Sequence, residues 1–194
     1  MKGYYKNPEA NAEVFDGDWF KTGDLGRIDG EGFIHITGRK KEIYVLSGGK
    51  NVAPLVVEET MKSIPVISQV FLVGDGRKFC SALVTLDVGV ILRDNLGMNP
   101  DKVPRDPMEQ IEELERRGHK LSDFVESEEV RSDIESQISE LNKRFMNPEQ
   151  IKKFTILPRD LNIDSGELTP TLKIRRKQIR ENWADEIEAM YSEA

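Results

Sequence analysis

The sequence predicts an α+β fold, with a mainly antiparallel sheet covered by helices, and three observations predict it. Two pairs of apolar runs flank joints rich in Gly and Asp, which is the pattern of a β-hairpin: residues 25–28 and 33–37 around Asp29-Gly30-Glu31-Gly32, and residues 66–73 and 79–86 around Gly74-Asp75-Gly76-Arg77. Val130, Ile134, Ile138, Leu141 and Phe145 recur at steps of 4, 4, 3 and 4, which places them on one face of a helix. Ile179, Trp183, Ile187 and Met190 do the same at steps of 4, 4 and 3 in a closing helix. No internal repeat is visible, and strands and helices are mixed along the chain, as in an α+β domain.

The remaining elements follow in order. The polar opening, with Asn7-Pro8 and Asp16-Gly17, reads as loop with a short helical turn over 9–14. After the first hairpin, Gly38-Arg39-Lys40-Lys41-Glu42 leads into a short strand over 43–46. Ser47-Gly48-Gly49-Lys50-Asn51 is a glycine loop, and Pro54 then suits the first turn of a helix, where its missing N–H costs nothing. Val56, Val57, Thr60, Met61 and Ile64 continue that helix at near-helical spacing. Residues 88–149 predict an acidic helical layer; within 101–150 there are 14 acidic and 8 basic residues. A last strand over 153–157 precedes Pro158 and a polar loop.

Composition narrows the function classes. At 194 residues, 38% hydrophobic and 32% charged, the chain is large enough for one globular core without staples. A net charge of −7 sets the overall field against nucleic acid and anionic membrane, so any anion site is local and no nucleic-acid partner is expected. The single Cys80 allows no internal disulfide, and His35 and His119 stand apart without ligand-like neighbours, so no metal site is expected. No apolar run approaches the ~20 residues of a membrane span, and the first ten residues lack the apolar centre of a signal peptide. A reducing, cytoplasmic location follows, with peripheral contact at a membrane as the secondary expectation.

Four segments carry chemistry. Asp24, in Thr22-Gly23-Asp24-Leu25-Gly26, can accept hydrogen bonds from vicinal ribose hydroxyls, or cap its own turn. Gly38 to Glu42 is either a solvated connection or a phosphate or hinge element. The Ser47 to Asn51 loop offers free backbone N–H groups ahead of a helix, without the spacing of a Walker A loop. The run Gly166-Glu167-Leu168-Thr169-Pro170-Thr171-Leu172-Lys173-Ile174-Arg175-Arg176-Lys177 ends with five basic residues and no acidic one in 171–180, and is expected to present Lys173 at a helix start. A cation there opposes the helix dipole. The alternative is a plain basic surface helix. Cys80 reads as a small buried hydrophobe and the two histidines as structural.

In this order the segments resemble the C-terminal part of the AMP-forming adenylate ligases, the superfamily of acyl-CoA synthetases, luciferases and peptide-synthetase adenylation domains. Tyr4-Tyr5-Lys6-Asn7-Pro8 resembles its GYY-N-P segment and Gly17-Asp18-Trp19-Phe20-Lys21-Thr22-Gly23-Asp24 its TGD motif. Gly38 to Glu42 resembles the hinge motif, and Gly166 to Lys173 the terminal lysine motif. Ser47-Gly48-Gly49-Lys50-Asn51-Val52-Ala53-Pro54 and the wording GELTPTLKIRRK are most similar to the long-chain fatty acid–CoA ligase branch.

The resemblance implies roles position by position. Asp24 would hold ribose hydroxyls, with Arg39 close to the nucleotide. Lys41 would be the hinge at which a mobile lid domain swings between two orientations. Lys173, aligned by the residue after Thr171-Leu172, would be the adenylation lysine, bridging the acyl carboxylate and the α-phosphate as pyrophosphate leaves. Ser47, Gly48, Gly49 and Lys50 would form the CoA-facing loop, its glycines leaving room for pantetheine. ATP with Mg, a fatty acid and CoA would be the substrates, none of them tightly bound to this chain alone. The family's phosphate loop, adenine-binding segment and acyl tunnel have no counterpart here. The expectation is therefore a C-terminal portion of a long-chain fatty acid–CoA ligase, inactive by itself, with residues 1–38 the tail of the large N-terminal AMP-binding domain and 39–194 the lid. The alternative is a free-standing, non-catalytic lid-like module that binds a phosphate-bearing ligand or a partner protein.

Overall fold

In a computed structural model residues 1–192 are described. The opening residues form α1 (Pro8–Val14), whose N-cap Asn7 accepts the Ala10 amide, and a minimal pair of strands, β1 (Phe15–Asp16) and β2 (Trp19–Phe20). The first expected hairpin is β3 (Asp24–Ile28) with β4 (Ile34–Arg39), antiparallel and bulged between Leu25 and Gly26. No side chain before Gly38 is buried, and Trp19, Ile28, Phe33, Ile34 and Ile36 stand in solvent. A 3₁₀ turn, Lys40–Glu42, then leads to β5 (Tyr44–Val45), which pairs with β6 (Asn51–Val52) across the glycine loop. Pro54 opens α2 (Pro54–Met61), which buries Pro54, Val57, Glu58 and Met61, one helical face that includes a carboxylate.

The core lies beyond that point. β7 (Ile67–Val73) and β8 (Cys80–Leu86) form the second expected hairpin, and every residue of β8 is buried because it is the middle strand. After β8 come α3 (Val88–Val90), a π-helical turn (Ile91–Asn95), α4 (Pro107–Arg116), α5 (Leu121–Val125) and α6 (Glu128–Asn142). The last strand, β9 (Ile151–Ile156), joins β8 in parallel rather than antiparallel register. A parallel neighbour cannot be reached by a tight turn, so the acidic helical layer expected over 88–149 is the obligatory crossover from β8 to β9.

Strand alternation divides the core in two. Val70 and Leu72 of β7 face α2 and α6, where Val57, Met61, Val130, Ile134 and Ile138 close one cluster. Phe71 and Val73 face the other way, onto Leu157, Leu161, Ile179, Trp183, Ile187 and Met190. The closing helix is two helices, α7 (Arg176–Asn182) and α8 (Ala184–Ser192), broken at Trp183 where φ is −116° and ψ 32°. The apolar face runs through the break because the Ile187 amide still bonds the Trp183 carbonyl at 3.0 Å.

Candidate functional site

Asp24 and Arg39 are directly opposed in the β3–β4 ladder, and Arg39 Nε lies 3.2 Å from Asp24 Oδ1. The turn-capping role open to Asp24 falls instead to Thr22, whose Oγ1 accepts the Asp24 amide at 3.1 Å. Gly23 makes the entry turn at φ +80°, and its carbonyl accepts the Lys40 amide at 2.8 Å, tying the nucleotide-pair candidates to the hinge motif. Lys41, in the 3₁₀ turn, projects into solvent with its Nζ 3.9 Å from Glu13 Oε1.

The Ser47 to Lys50 loop is closed by the Leu46 amide on the Lys50 carbonyl at 2.9 Å and by the Gly49 amide on the Leu46 carbonyl at 2.7 Å. Gly49 needs its glycine, since φ is +74°, a region L-residues avoid. Gly48 is not in the left-handed φ range and has no atom within 4 Å of where a Cβ would stand, so nothing in this chain's packing requires it to be glycine. Gly48 and Lys50 line a cavity of about 260 Å³ with Lys78, Phe79, Pro148 and Lys152. Three lysines concentrate positive potential there, against the net charge of −7.

Lys173 departs from expectation in its setting. It does not start a helix; α7 begins three residues later, and Lys173 sits in a tight hairpin. The Arg175 amide bonds the Glu167 carbonyl at 2.8 Å, Leu168 bridges Ile174, and the Thr169 amide bonds the Lys173 carbonyl at 2.9 Å. Thr169 Oγ1 also accepts the Lys173 amide at 3.0 Å. Leu172 completes the tip at φ +58°, a left-handed conformation that is strained for a side-chain-bearing residue. The result holds Lys173 exposed on a short, internally bonded arch, without the dipole penalty a helix start would bring.

Two buried ion pairs, which the sequence reading passed over, stand at the feet of that arch. Before it, Glu167 is fully buried: Arg159 grips both carboxylate oxygens at 2.7 and 2.8 Å, and Trp183 Nε1, Asn182 Nδ2 and the Asn162 amide donate at 2.8, 3.1 and 3.2 Å. Burial pushes the Glu167 carboxyl up, but Arg159, then Asn182 and the Asn162 amide, together outweigh it and hold the group below its usual range. After the arch, Arg176 grips Glu58 of α2 at 2.7 Å through each of its terminal nitrogens. Burial opposes its charge, yet Glu58 holds the guanidinium above its ordinary value. The sequence signal for Glu58 was its place among Val57 and Met61 on the buried face of α2; for Glu167 it was a carboxylate inside an otherwise basic motif.

Lys41, Glu42, Ile174, Arg176 and Arg180 line a second cavity, of about 320 Å³, which joins the hinge turn to the foot of the Lys173 arch. It shares no lining residue with the cavity at the glycine loop. The structure thus sets the hinge and lysine motifs together and the glycine loop apart. Among the described residues there is no group of three or more His, Cys, Asp or Glu that could hold a metal ion. Among the described residues no helix is long and apolar enough to cross a membrane.

Comparison with known proteins gives a consistent result. The family model described as the AMP-binding enzyme C-terminal domain matches residues 41–123 and 114–194. A long-chain-fatty-acid–CoA ligase of Mycobacterium tuberculosis, FadD15, is 40% identical over 197 residues, covering 99% of this chain and 30% of its own length. The human long-chain-fatty-acid–CoA ligase ACSBG1 is 37% identical, covering 98% of this chain and 27% of its own. The chain therefore spans under a third of the curated relatives it matches. Among solved structures, the A domain of a carboxylic acid reductase from Segniliparus rugosus, in complex with AMP and a co-purified carboxylic acid, superposes with a TM-score of 0.68 at 24% identity, over 100% of this chain and 26% of that one. O-succinylbenzoate coenzyme A synthetase from Bacillus subtilis, with ATP and magnesium, gives 0.52 at 24% identity, over 93% and 28%. Both share the fold.

Proposed function

Since the chain belongs to the AMP-binding enzyme C-terminal domain family, we propose that it serves as the lid of a long-chain fatty acid–CoA ligase, a cytoplasmic enzyme. That ligase would join a fatty acid to CoA at the expense of ATP, through an acyl-adenylate, releasing AMP and diphosphate. Residues 39–194 form the lid, and residues 1–38 belong with a larger N-terminal AMP-binding domain. The bare apolar surface of the β3–β4 hairpin, with Ile28, Ile34 and Ile36 in solvent, supports that division, because a contiguous exposed apolar face marks an interaction surface.

The observation that carries the proposal is Lys173 itself, an exposed ammonium on an arch whose feet are fixed by buried ion pairs. Such a cation costs no reorganisation when negative charge develops between an acyl carboxylate and an α-phosphate. In that first orientation Asp24 accepts the ribose hydroxyls and Arg39 lies beside the nucleotide. Rotation about Lys41 then withdraws Lys173 and turns the Ser47 to Lys50 loop toward the acyl-adenylate. CoA's phosphates have the lysine-lined cavity beside that loop to meet, and Gly48 leaves a path for the thiol arm.

The test is a half-reaction comparison in the full-length ligase. Lys173→Ala is expected to lower acyl-dependent pyrophosphate exchange by about 100-fold or more, as removal of one preorganised charge contact does. Thioester formation from preformed acyl-adenylate should be spared. Equal loss in both halves overturns the assignment.

A further inference from the structure

Of the five basic residues between 171 and 180, Arg176 alone is part-buried, the other four being exposed. Its Nη1 and Nη2 donate to Glu58 Oε1 and Oε2 at 2.7 Å each, Nη1 also reaches Tyr44 Oη at 3.1 Å, and Nε lies 3.5 Å from Glu42 Oε2. The partners are themselves fixed to the sheet. Glu58 Oε1 accepts the Leu72 amide at 2.9 Å, and Tyr44 Oη donates to the Leu72 carbonyl at 2.9 Å. One guanidinium thus joins α7 to the hinge turn, to β5, to α2 and through them to β7. Glu42 is the residue next to Lys41, and Arg176 lies three residues beyond Lys173.

We propose that Arg176 is a positioning residue for Lys173, locking the lysine arch to the residue that leaves the hinge so that the two turn as one body. The inference rests on the reading of Lys173 as the adenylating group. Its physical basis is that a buried bidentate pair adds little net stability over apolar residues of similar volume, yet fixes distance and plane as a lone ammonium cannot. Without it, the arch would keep the Glu167–Arg159 foot but lose its tie to the hinge, and rotation at Lys41 would reach Lys173 with slack. An error of about 1 Å in a reacting group costs on the order of 100-fold in rate. Arg180, centred 5.3 Å from the Tyr44 ring, packs the same junction from the next turn of α7.

The variant that isolates this is Arg176→Met with Glu58→Gln in the full-length ligase. It removes both charges together, preserves side-chain volume, and keeps an acceptor for the Leu72 amide. Adenylation kcat is expected to fall about 10- to 100-fold with KM for ATP within about twofold, while thioester formation from preformed acyl-adenylate holds within about twofold. Arg176→Lys, which keeps the charge but not the fork, is expected to fall between wild type and the double variant, and it carries the test if the double variant does not fold. Unchanged adenylation in whichever variant is read, with Lys173→Ala depressed, overturns the role of Arg176 and leaves Lys173 standing. Parallel loss in both half-reactions also overturns it, since that is the mark of a structural tie alone. If Lys173→Ala itself leaves adenylation intact, the reading of Lys173 fails first, and this inference with it.

Discussion

Asp24 and Arg39, fifteen residues apart in the chain, meet across the β3–β4 ladder with Nε 3.2 Å from Oδ1, on a surface where neither is buried. An exposed pair of this kind contributes at most about 1 kcal/mol, because solvent screens it and two side chains lose freedom to make it. The fold therefore does not need Asp24, which leaves its carboxylate available for the ribose role proposed above.

Asp24→Asn should accordingly leave the chain's urea midpoint nearly unchanged, within about 1 kcal/mol, while raising KM for ATP in the full-length ligase by roughly tenfold for the lost charge-assisted hydrogen bonds. Equilibrium unfolding and initial-rate kinetics on the same variant separate the two effects. A large loss of stability with normal ATP use would reverse the assignment.

The two glycines of the Ser47 to Lys50 loop should separate in the same way. Gly49→Ala forces φ +74° on an L-residue and should destabilise the chain by about 1 kcal/mol. Gly48→Ala meets no atom within 4 Å and should leave stability unchanged or raised by about 0.5 kcal/mol. In the ligase, Gly48→Ala should nonetheless slow thioester formation and spare adenylation, because its Cβ would stand where CoA's thiol arm passes. A normal thioester half-reaction in this variant would remove the loop from the CoA path.

Sequence pattern was informative wherever one local force decides structure. The hairpin over 67–86 is legible from two apolar runs and a Gly-Asp-Gly-Arg joint, and the faces of α6, α7 and α8 from steps of three and four. It was silent where distant residues decide. That β9 pairs in parallel with β8 depends on where a crossover of more than sixty residues delivers the chain, which no local period records. Lys173 read as a helix start because a basic run follows it; the arch arises from backbone bonds between Glu167 and Arg175 and from a strained Leu172. The ion pairs of Glu58 with Arg176 and of Arg159 with Glu167 span 118 and 8 residues, and only burial makes them visible.

The Arg159–Glu167 pair yields the sharpest stability prediction, because the two partners are unequally buried. Glu167 is inaccessible whereas the Arg159 side chain is 40% exposed. Arg159→Met strands an ionised carboxylate in the interior and should cost about 3 kcal/mol; Glu167→Gln strands only a guanidinium that water can reach, and should cost less. The pH dependence follows from the direction of the shift. Burial works against the Glu167 charge, but Arg159, Asn182 and the Asn162 amide more than offset it, so its folded pKa lies below the unfolded 4.5. A depressed carboxyl contributes stability that is fully present above the unfolded pKa and is lost as pH falls through the folded one. Wild type should therefore lose stability progressively below pH 4.5, and Glu167→Gln, less stable at neutral pH, should lose less on acidification, so that the two urea-unfolding curves converge. Parallel curves down to the acid limit would mean that Glu167 titrates alike in the folded and unfolded chain, and a wild type that gained on Glu167→Gln with acidification would mean that the carboxyl is held neutral in the fold; either result overturns the ionised pair.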